Sequence, residues 1–410
     1  MKIKKNKLLL FLPILYVFGY WRLLPTISVG QFFVKTIIGL SGLLFFIFKT
    51  GIRKSSYMSF AKRYLLVYSL VLITGIIITW INYRYTLSDL VLAVYPYTYA
   101  FLAFPIIYCF IKDKGYERYT SQLIDIAVVL LLIKTALWFL YNFIGIEMFP
   151  RLLFEFSAWT RNGMQRMFAG FLVGIILSFS FVHGFYFEKR MKYKLIFAFV
   201  VFFLIFETQY RYQIASAAVS VLFMYFYGSR SSQQKMNKFI LLIPILILAY
   251  SCGAFDKVIE SFAVTGAYGN STNARLLALN SFWKQMVNKK AFCGLGLLVD
   301  SNSLAESILK YDYGVYYLED LGILGGFFRF GVLSIFQYGI LFAGAVKVCI
   351  NTLKNNDRRN SIFIVGVTSY MIISCLALNI FDGQRSFDVP VYIALISYIN
   401  GMTIYKGRGD

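Results

Sequence analysis

The chain has 410 residues, a formal net charge of +22, 59% hydrophobic residues and 15% charged residues. Soluble domains carry about 45–50% apolar and about 25% charged residues, so this composition excludes an ordinary water-soluble globule. A basic excess would point to nucleic acid in a soluble chain. No separate basic domain is present to bind it, and nucleic acid is not expected as a partner.

Apolar runs such as 65–81 and 123–145 are close to the roughly 20 residues that carry a helix across a hydrocarbon core of ~30 Å. Inside lipid the backbone must satisfy its own polar groups, which leaves helices or closed barrels. Barrel strands alternate polar and apolar residues, and these runs do not. From the N-terminus, MKIKKNK and the apolar stretch after it resemble a signal peptide without a small-residue cleavage site, so 8–24 is read as a retained first span. Further spans are expected at 31–48, 64–81, 90–111, 121–145, 166–187, 195–209, 213–228, 239–253, 323–346, 361–380 and 389–405. The expected fold is an all-α polytopic membrane protein of about twelve helices, a single transmembrane domain over 1–410 with one long loop at 254–322.

An even number of spans places both termini on one side. Lys2, Lys4, Lys5 and Lys7, then Lys49, Arg53 and Lys54, and later Lys189, Arg190 and Lys192 fall in loops of that side. The opposite loops hold far fewer basic residues, so the termini are expected in the cytoplasm of a bacterial cytoplasmic membrane and 254–322 outside it. Within that loop, 271–290 carries Leu276, Leu279, Trp283, Met286 and Val287 at helical spacing, which predicts an amphipathic helix lying on the membrane or over the bundle. Ser271, Thr272 and Asn273 supply N-caps, and Gly294 and Gly296 follow the end.

Chemistry-bearing residues are few. Arg151, Arg161, Arg166, Arg211, Arg275 and Arg385 lie at span ends on the outer side. Each alone could snorkel to headgroups; facing a shared cavity, their planar forks would suit a pyrophosphate. Lys134 and Arg329 sit inside apolar runs, where charge needs a partner or a wet cavity. Asp125 is too far along the same helix to pair with Lys134, and Arg329 either faces the outer cavity or pairs with a carboxylate. The single histidine, His183, reads as interfacial, and most Tyr and Phe residues read as lipid-facing or belt residues. Cys109, Cys252, Cys293, Cys349 and Cys375 show no metal spacing. No P-loop or GxSxG is present, and neither a metal nor a cofactor is expected.

Three segments carry a family resemblance. RMFAGFLVGIILSFSF (166–181) and YRYQIASAAVSVLFMYF (210–226) are arginine-led spans. NARLLALNSFWKQMVNKKAFCGLGL (273–297) runs from an arginine through a tryptophan-bearing helix to a G-x-G turn, and YYLEDLGILGGFFRFGVL (316–333) follows. Together they resemble the O-antigen and exopolysaccharide polymerase and O-antigen ligase superfamily, chiefly in the second half of the chain. The resemblance implies glycosyl transfer from an undecaprenyl-pyrophosphate-linked oligosaccharide at the outer membrane face. It implies that Arg166, Arg211 and Arg275 hold the pyrophosphate, and that Asp320 or Glu319 acts near the acceptor; Arg329, inside its apolar run, is a further substrate-binding candidate. Implied partners are membrane lipids, a flippase and a chain-length regulator. The outer loop lacks the histidine of the ligases, which favours a polymerase; a ligase and a lipid-linked oligosaccharide flippase are the alternatives.

Overall fold

The computed structural model describes residues 30–49, 55–146, 160–161, 163–167, 172–229, 231–251, 269–311, 314–382 and 385–406. The first expected span, Arg22, Arg53, Lys54, Arg151 and Cys252 lie outside the described residues. The first half contains α1 (Gly30–Phe48), α2 (Ser59–Tyr83), α3 (Leu87–Thr98), α4 (Ala103–Lys112), α5 (Tyr116–Phe139), the strands β1 (Thr160–Arg161) and β2 (Met164–Gln165), α6 (Val173–Phe181) and α7 (Met191–Phe202). The second half contains α8 (Arg211–Tyr227), α9 (Ser232–Ser251), α10 (Gly269–Asn288), α11 (Ser303–Leu309), β3 (Lys310–Tyr311), β4 (Gly314–Val315), α12 (Ile323–Phe330), α13 (Ser334–Lys354), α14 (Arg358–Ala377) and α15 (Asp388–Lys406). Apart from two antiparallel two-residue ladders, β1–β2 and β3–β4, the regular structure of the described residues is helical.

Among the described residues, five helical segments are long and apolar enough to cross a membrane: Ser56–Tyr83, Leu87–Lys112, Tyr116–Ile144, Ile323–Lys354 and Arg358–Ala377. In α2 the reason is visible residue by residue. Tyr64, Tyr68, Val71, Leu72, Gly75 and Thr79 face the interior, while Leu66, Leu70, Ile73, Ile77 and Trp80 recur every three or four residues on the exposed face. Both faces are apolar, which suits a helix with protein on one side and hydrocarbon on the other. At about 1.5 Å per residue its twenty-five residues rise about 37 Å, more than the ~30 Å core. The next span starts with a capping box, Thr86 with Asp89, and tightens to a 3₁₀ turn at Tyr99–Leu102 just after Pro96, which has no N–H to donate to the helical ladder.

The interior is formed chiefly by the last two helices. α14 packs against α6, α8 and α13, and α15 against α2, α4 and α13. Most residues of both are buried. Many tyrosines expected in lipid-facing belts are instead interior: Tyr64, Tyr68, Tyr83, Tyr85, Tyr116 and Tyr338 are all buried. Their hydroxyls find acceptors there, such as Tyr68 on the Tyr97 carbonyl (2.8 Å) and Tyr338 on Asn379 Oδ1 (2.7 Å). A hydroxyl with a partner removes the main cost of burying a tyrosine.

Two sequence expectations are revised. Within the run at 166–187 the described helix begins at Val173, and Arg166 and Met167, which follow β2, lie outside regular structure. The amphipathic helix begins at Gly269 rather than after Ser271, Thr272 and Asn273, so these residues fall in its first turns instead of capping it.

The G-x-G turn has a clear physical role. The Ile323–Lys354 span is interrupted between α12 and α13 by a 3₁₀ turn, Gly331–Leu333. The freed carbonyls of Phe328 and Arg329 accept N–H groups from Leu295 (2.7 Å) and Gly296 (3.0 Å), and Val332 N–H donates to the Phe292 carbonyl (3.2 Å). So close an approach leaves no room for a Cβ on Gly294, which would overlap the Arg329 carbonyl. Gly294 and Gly296 also adopt positive φ, +92° and +89°, which glycine tolerates without a steric penalty. Tyr83 and Tyr85 donate to the carbonyls of Leu295 and Leu297 (2.6 and 2.9 Å), tying this turn to the end of α2.

Candidate functional site

The candidate site gathers around residues 210–213, where α7 hands over to α8. Gln209 turns the chain with a positive φ of 52°, Tyr210 is the N-cap of α8, and Arg211 is its first residue. Arg166 approaches from the β1–β2 hairpin, and its guanidinium lies 5.1 Å from the centre of the Tyr210 ring. Arg275 approaches from α10, and its guanidinium lies 5.1 Å from the centre of the Tyr212 ring. Arg211 sits between these two aromatic partners in sequence. Three arginines far apart in the chain therefore share one neighbourhood, each half-buried.

Arg166 is held by its neighbours. Gln165 N–H donates to Asn142 Oδ1 (2.7 Å), and Trp138 Nε1 donates to the Gln165 carbonyl (2.7 Å). On the other flank, Met167 N–H donates to the carbonyl of Glu207 (2.8 Å). The backbone on both sides of Arg166 is thus pinned to α5 and to the end of α7. Arg275 Nε is buried and has no hydrogen-bond partner among the described residues, a state that native proteins rarely leave unexplained.

The carboxylates arrive on two turns. Glu319 and Asp320 lie in the 3₁₀ turn Leu318–Leu321. This turn is joined to the α14–α15 connection, where Asn379 N–H donates to the Glu319 carbonyl (3.1 Å). In that connection Arg385 forms an ion pair with Asp382, and its backbone N–H also donates to Asp382 Oδ1 (2.7 Å). Arg385 interacts electrostatically with Asp320, Tyr210 and Glu319 as well. Burial pushes the Tyr210 phenol up to about 12, although Arg385 and Arg166 both pull it down. At neutral pH this hydroxyl is protonated and acts as a donor.

Glu319 and Arg329 form an ion pair. The Arg329 side chain is only 6% exposed, against 35% for Glu319. Burial opposes ionisation of Glu319, but the Arg329 guanidinium outweighs it and holds the carboxyl below its usual range. Of the two readings open for Arg329, pairing with a carboxylate is the one observed. Asp320 is not the cap of α12: Gly322 is, and no side chain caps that terminus. Asp320 is half-buried and lies within electrostatic reach of Arg385 and Tyr210.

Two other sequence candidates lie elsewhere. His183 is buried within the protein, stacked on Phe179 with ring centres 4.0 Å apart. Its charged neighbours Glu188 (3.3 Å) and Arg359 (3.2 Å) explain why a polar ring is accepted there. Lys134 is buried within electrostatic reach of Glu207, which also accepts a hydrogen bond from the Thr135 hydroxyl (2.8 Å). Asp125 pairs instead with Lys192 (2.6 Å).

Sequence reasoning placed Arg385 among the span-end arginines but did not select it, and it overlooked Asp382, Tyr210 and Gln213. The available signal was Asp382 and Arg385 three apart in the short link between two nearly uncharged helices. Behind Arg385 lies a cavity of about 20 Å³, room for one water molecule and too small for a phosphate. Gln213, Tyr370, Ser374, Arg385 and Asp388 line it. No group of three or more His, Cys, Asp or Glu placed to hold a metal occurs among the described residues. The chain matches no protein-family model and no curated protein.

Proposed function

We propose that the chain is a membrane-embedded polysaccharide polymerase that transfers an undecaprenyl-pyrophosphate-linked glycan onto another lipid-linked repeat unit. The observation that carries this reading is the convergence of Arg166, Arg211, Arg275 and Arg385 on the Tyr210–Tyr212 segment with Asp320 beside them. It is supported by the resemblance of 166–181, 210–226, 273–297 and 316–333 to the polymerase and ligase superfamily. Under the same proposal the chain crosses the bacterial cytoplasmic membrane about twelve times, with both termini in the cytoplasm and the site at the outer face.

In the proposed reaction the acceptor hydroxyl oxygen bonds to the anomeric carbon of the donor while that carbon's bond to the pyrophosphate oxygen breaks. The bonding pair leaves with the pyrophosphate. Arg166, Arg211 and Arg275 meet the charge that develops there, since guanidinium groups give charge-assisted and bidentate hydrogen bonds to phosphate oxygens. The hydroxyl proton passes to Asp320, the carboxylate of the pair that is not bound to Arg329. Glu319 and Arg329 support the turn that presents Asp320. Tyr210, a protonated phenol, adds a neutral donor. The arginines carry the leaving-group charge, so the proposed transfer needs no metal.

The test is the lipid-linked glycan profile of a strain lacking the chain. Accumulation of single outward-facing repeat units supports a polymerase. Accumulated long lipid-linked chains would replace it with a ligase, and loss of outward-facing units with a flippase.

A further inference from the structure

Helix α10 has two apolar faces, and the other described residues cover only one. Ala278 and Phe282 are buried, and Phe282 packs against Phe328 and Tyr316, with ring centres 5.6 and 6.1 Å away. A second stripe points away from the protein: Leu276, Trp283 and Val287 are 48%, 55% and 59% exposed. At about 100° per residue, offsets of seven and eleven keep these three within about 40° of one another. An outward apolar stripe opposite a packed face is costly in water.

We infer that this outward stripe docks on a lipid bilayer, with its hydrophobic side chains at the level of the acyl–headgroup boundary and its lysines on anionic headgroups. Continuity decides the occupant. Trp283 stacks on Phe327 of α12, with ring centres 6.4 Å apart. Phe327 belongs to Ile323–Lys354, a segment long and apolar enough to cross a membrane. Leu324, one turn from Phe327, is also exposed, as is Phe292 beyond the end of α10. Whatever phase covers that span therefore extends over the stripe of α10. Charge agrees: Lys284, Lys289 and Lys290 are exposed on the flank and at the end of the helix, as expected beside lipid phosphates. A tryptophan at the edge of the patch suits the same depth, because indole prefers the interface. The docking stands whether or not the chain transfers sugars. Its consequence for Arg275, which rests on the proposed function, is that the guanidinium is held at the depth of a lipid-borne phosphate.

Spin labels at adjacent positions test the docking without reference to activity. The full chain carries Cys252→Ser and Cys293→Ser, with Val287→Cys or Asn288→Cys as the labelled site, in nanodiscs of phosphatidylethanolamine and phosphatidylglycerol. Both target positions are exposed, so labelling disturbs little packing. The label at 287 is expected to collide severalfold more with oxygen than with a water-soluble nickel chelate, and the label at 288 to show the opposite bias. A 287 label more accessible to nickel overturns the docking, and a label shielded from both reagents assigns the stripe to a protein partner instead. Lys284→Gln with Lys290→Gln is expected to bring the 287 label closer to water in these discs but not in phosphatidylcholine. Equal depth in all four samples overturns the anionic-headgroup assignment.

Discussion

The Glu319–Arg329 pair can be tested independently of any assay for transfer. Arg329 is nearly buried, so Glu319→Gln leaves a guanidinium charge in the interior without its counter-ion. Removing one member of a fully buried pair costs about 3–5 kcal/mol. Glu319 is 35% exposed, so water screens part of the interaction, and about 1–3 kcal/mol is the reasonable expectation. The double variant Glu319→Gln, Arg329→Met removes both charges and should recover most of that loss, because the desolvation of Arg329 disappears with it. The assay is the apparent unfolding temperature of purified protein in detergent at a fixed scan rate, since membrane proteins often unfold irreversibly. The pH dependence follows from the depressed carboxyl. Its contribution is complete above the unfolded carboxyl value of about 4.3 and is lost as pH falls through the lower folded value. The gap between wild type and Glu319→Gln should be constant from neutral pH to about pH 5 and close only in stronger acid. An unchanged unfolding temperature for Glu319→Gln, or a gap that closes near neutrality, would refute the pairing argument.

The other expectations concern the site and its frame. Asp320→Asn keeps the shape of the turn but removes the proton acceptor, so purified protein given lipid-linked repeat units should lose at least about tenfold in transfer rate while its unfolding temperature is unchanged. Full activity would remove Asp320 from the reaction, and loss of wild-type activity in EDTA with rescue by Mg²⁺ would assign the leaving-group charge to a metal. Arg211→Lys with Arg275→Lys keeps the charge but not the fork, and should lower transfer by about tenfold or more at normal protein level; wild-type rates would falsify the pyrophosphate assignment. Gly322→Ala should sharply reduce the yield of folded protein: Gly322 has a φ of +57°, and a Cβ there would overlap the carbonyl oxygens of Cys375 and Leu376. Labelling of intact cells in a cysteine-free background should modify Ser301→Cys and spare Ser55→Cys; the reverse pattern inverts the proposed orientation.

Hydrophobic run length made the helices legible, since a run of about 20 apolar residues has few alternatives to a helix. Among the described residues, the expected spans from 31–48 onward overlap helices, five of which are long and apolar enough to cross a membrane, and the amphipathic pattern of Leu276, Leu279, Trp283, Met286 and Val287 became α10. Run length says nothing about which face meets lipid, which is why the tyrosines were misplaced. Their interior role depends on acceptors that other parts of the chain present, such as the Tyr97 and Leu295 carbonyls and Asn379 Oδ1, which local periodicity does not encode. The arginines were legible as a residue type, because a planar fork that stays charged suits phosphate. Their convergence was not, because it depends on how α8, α10 and the α14–α15 connection meet in space. Arg385 illustrates the difference. In sequence it is one of six span-end arginines, but in the structure its pairing with Asp382 holds it within electrostatic reach of both Asp320 and Tyr210. A fixed guanidinium there opposes the effect of burial on the Tyr210 phenol and attracts the Asp320 side chain. If Asp320 accepts the acceptor's proton, Arg385 must attract that carboxylate without capturing it, and its own ion pair with Asp382 limits how strongly it can bind Asp320. The Asp382–Arg385 pair thus belongs to the proposed machinery as a positioning element, although neither residue need touch the substrate.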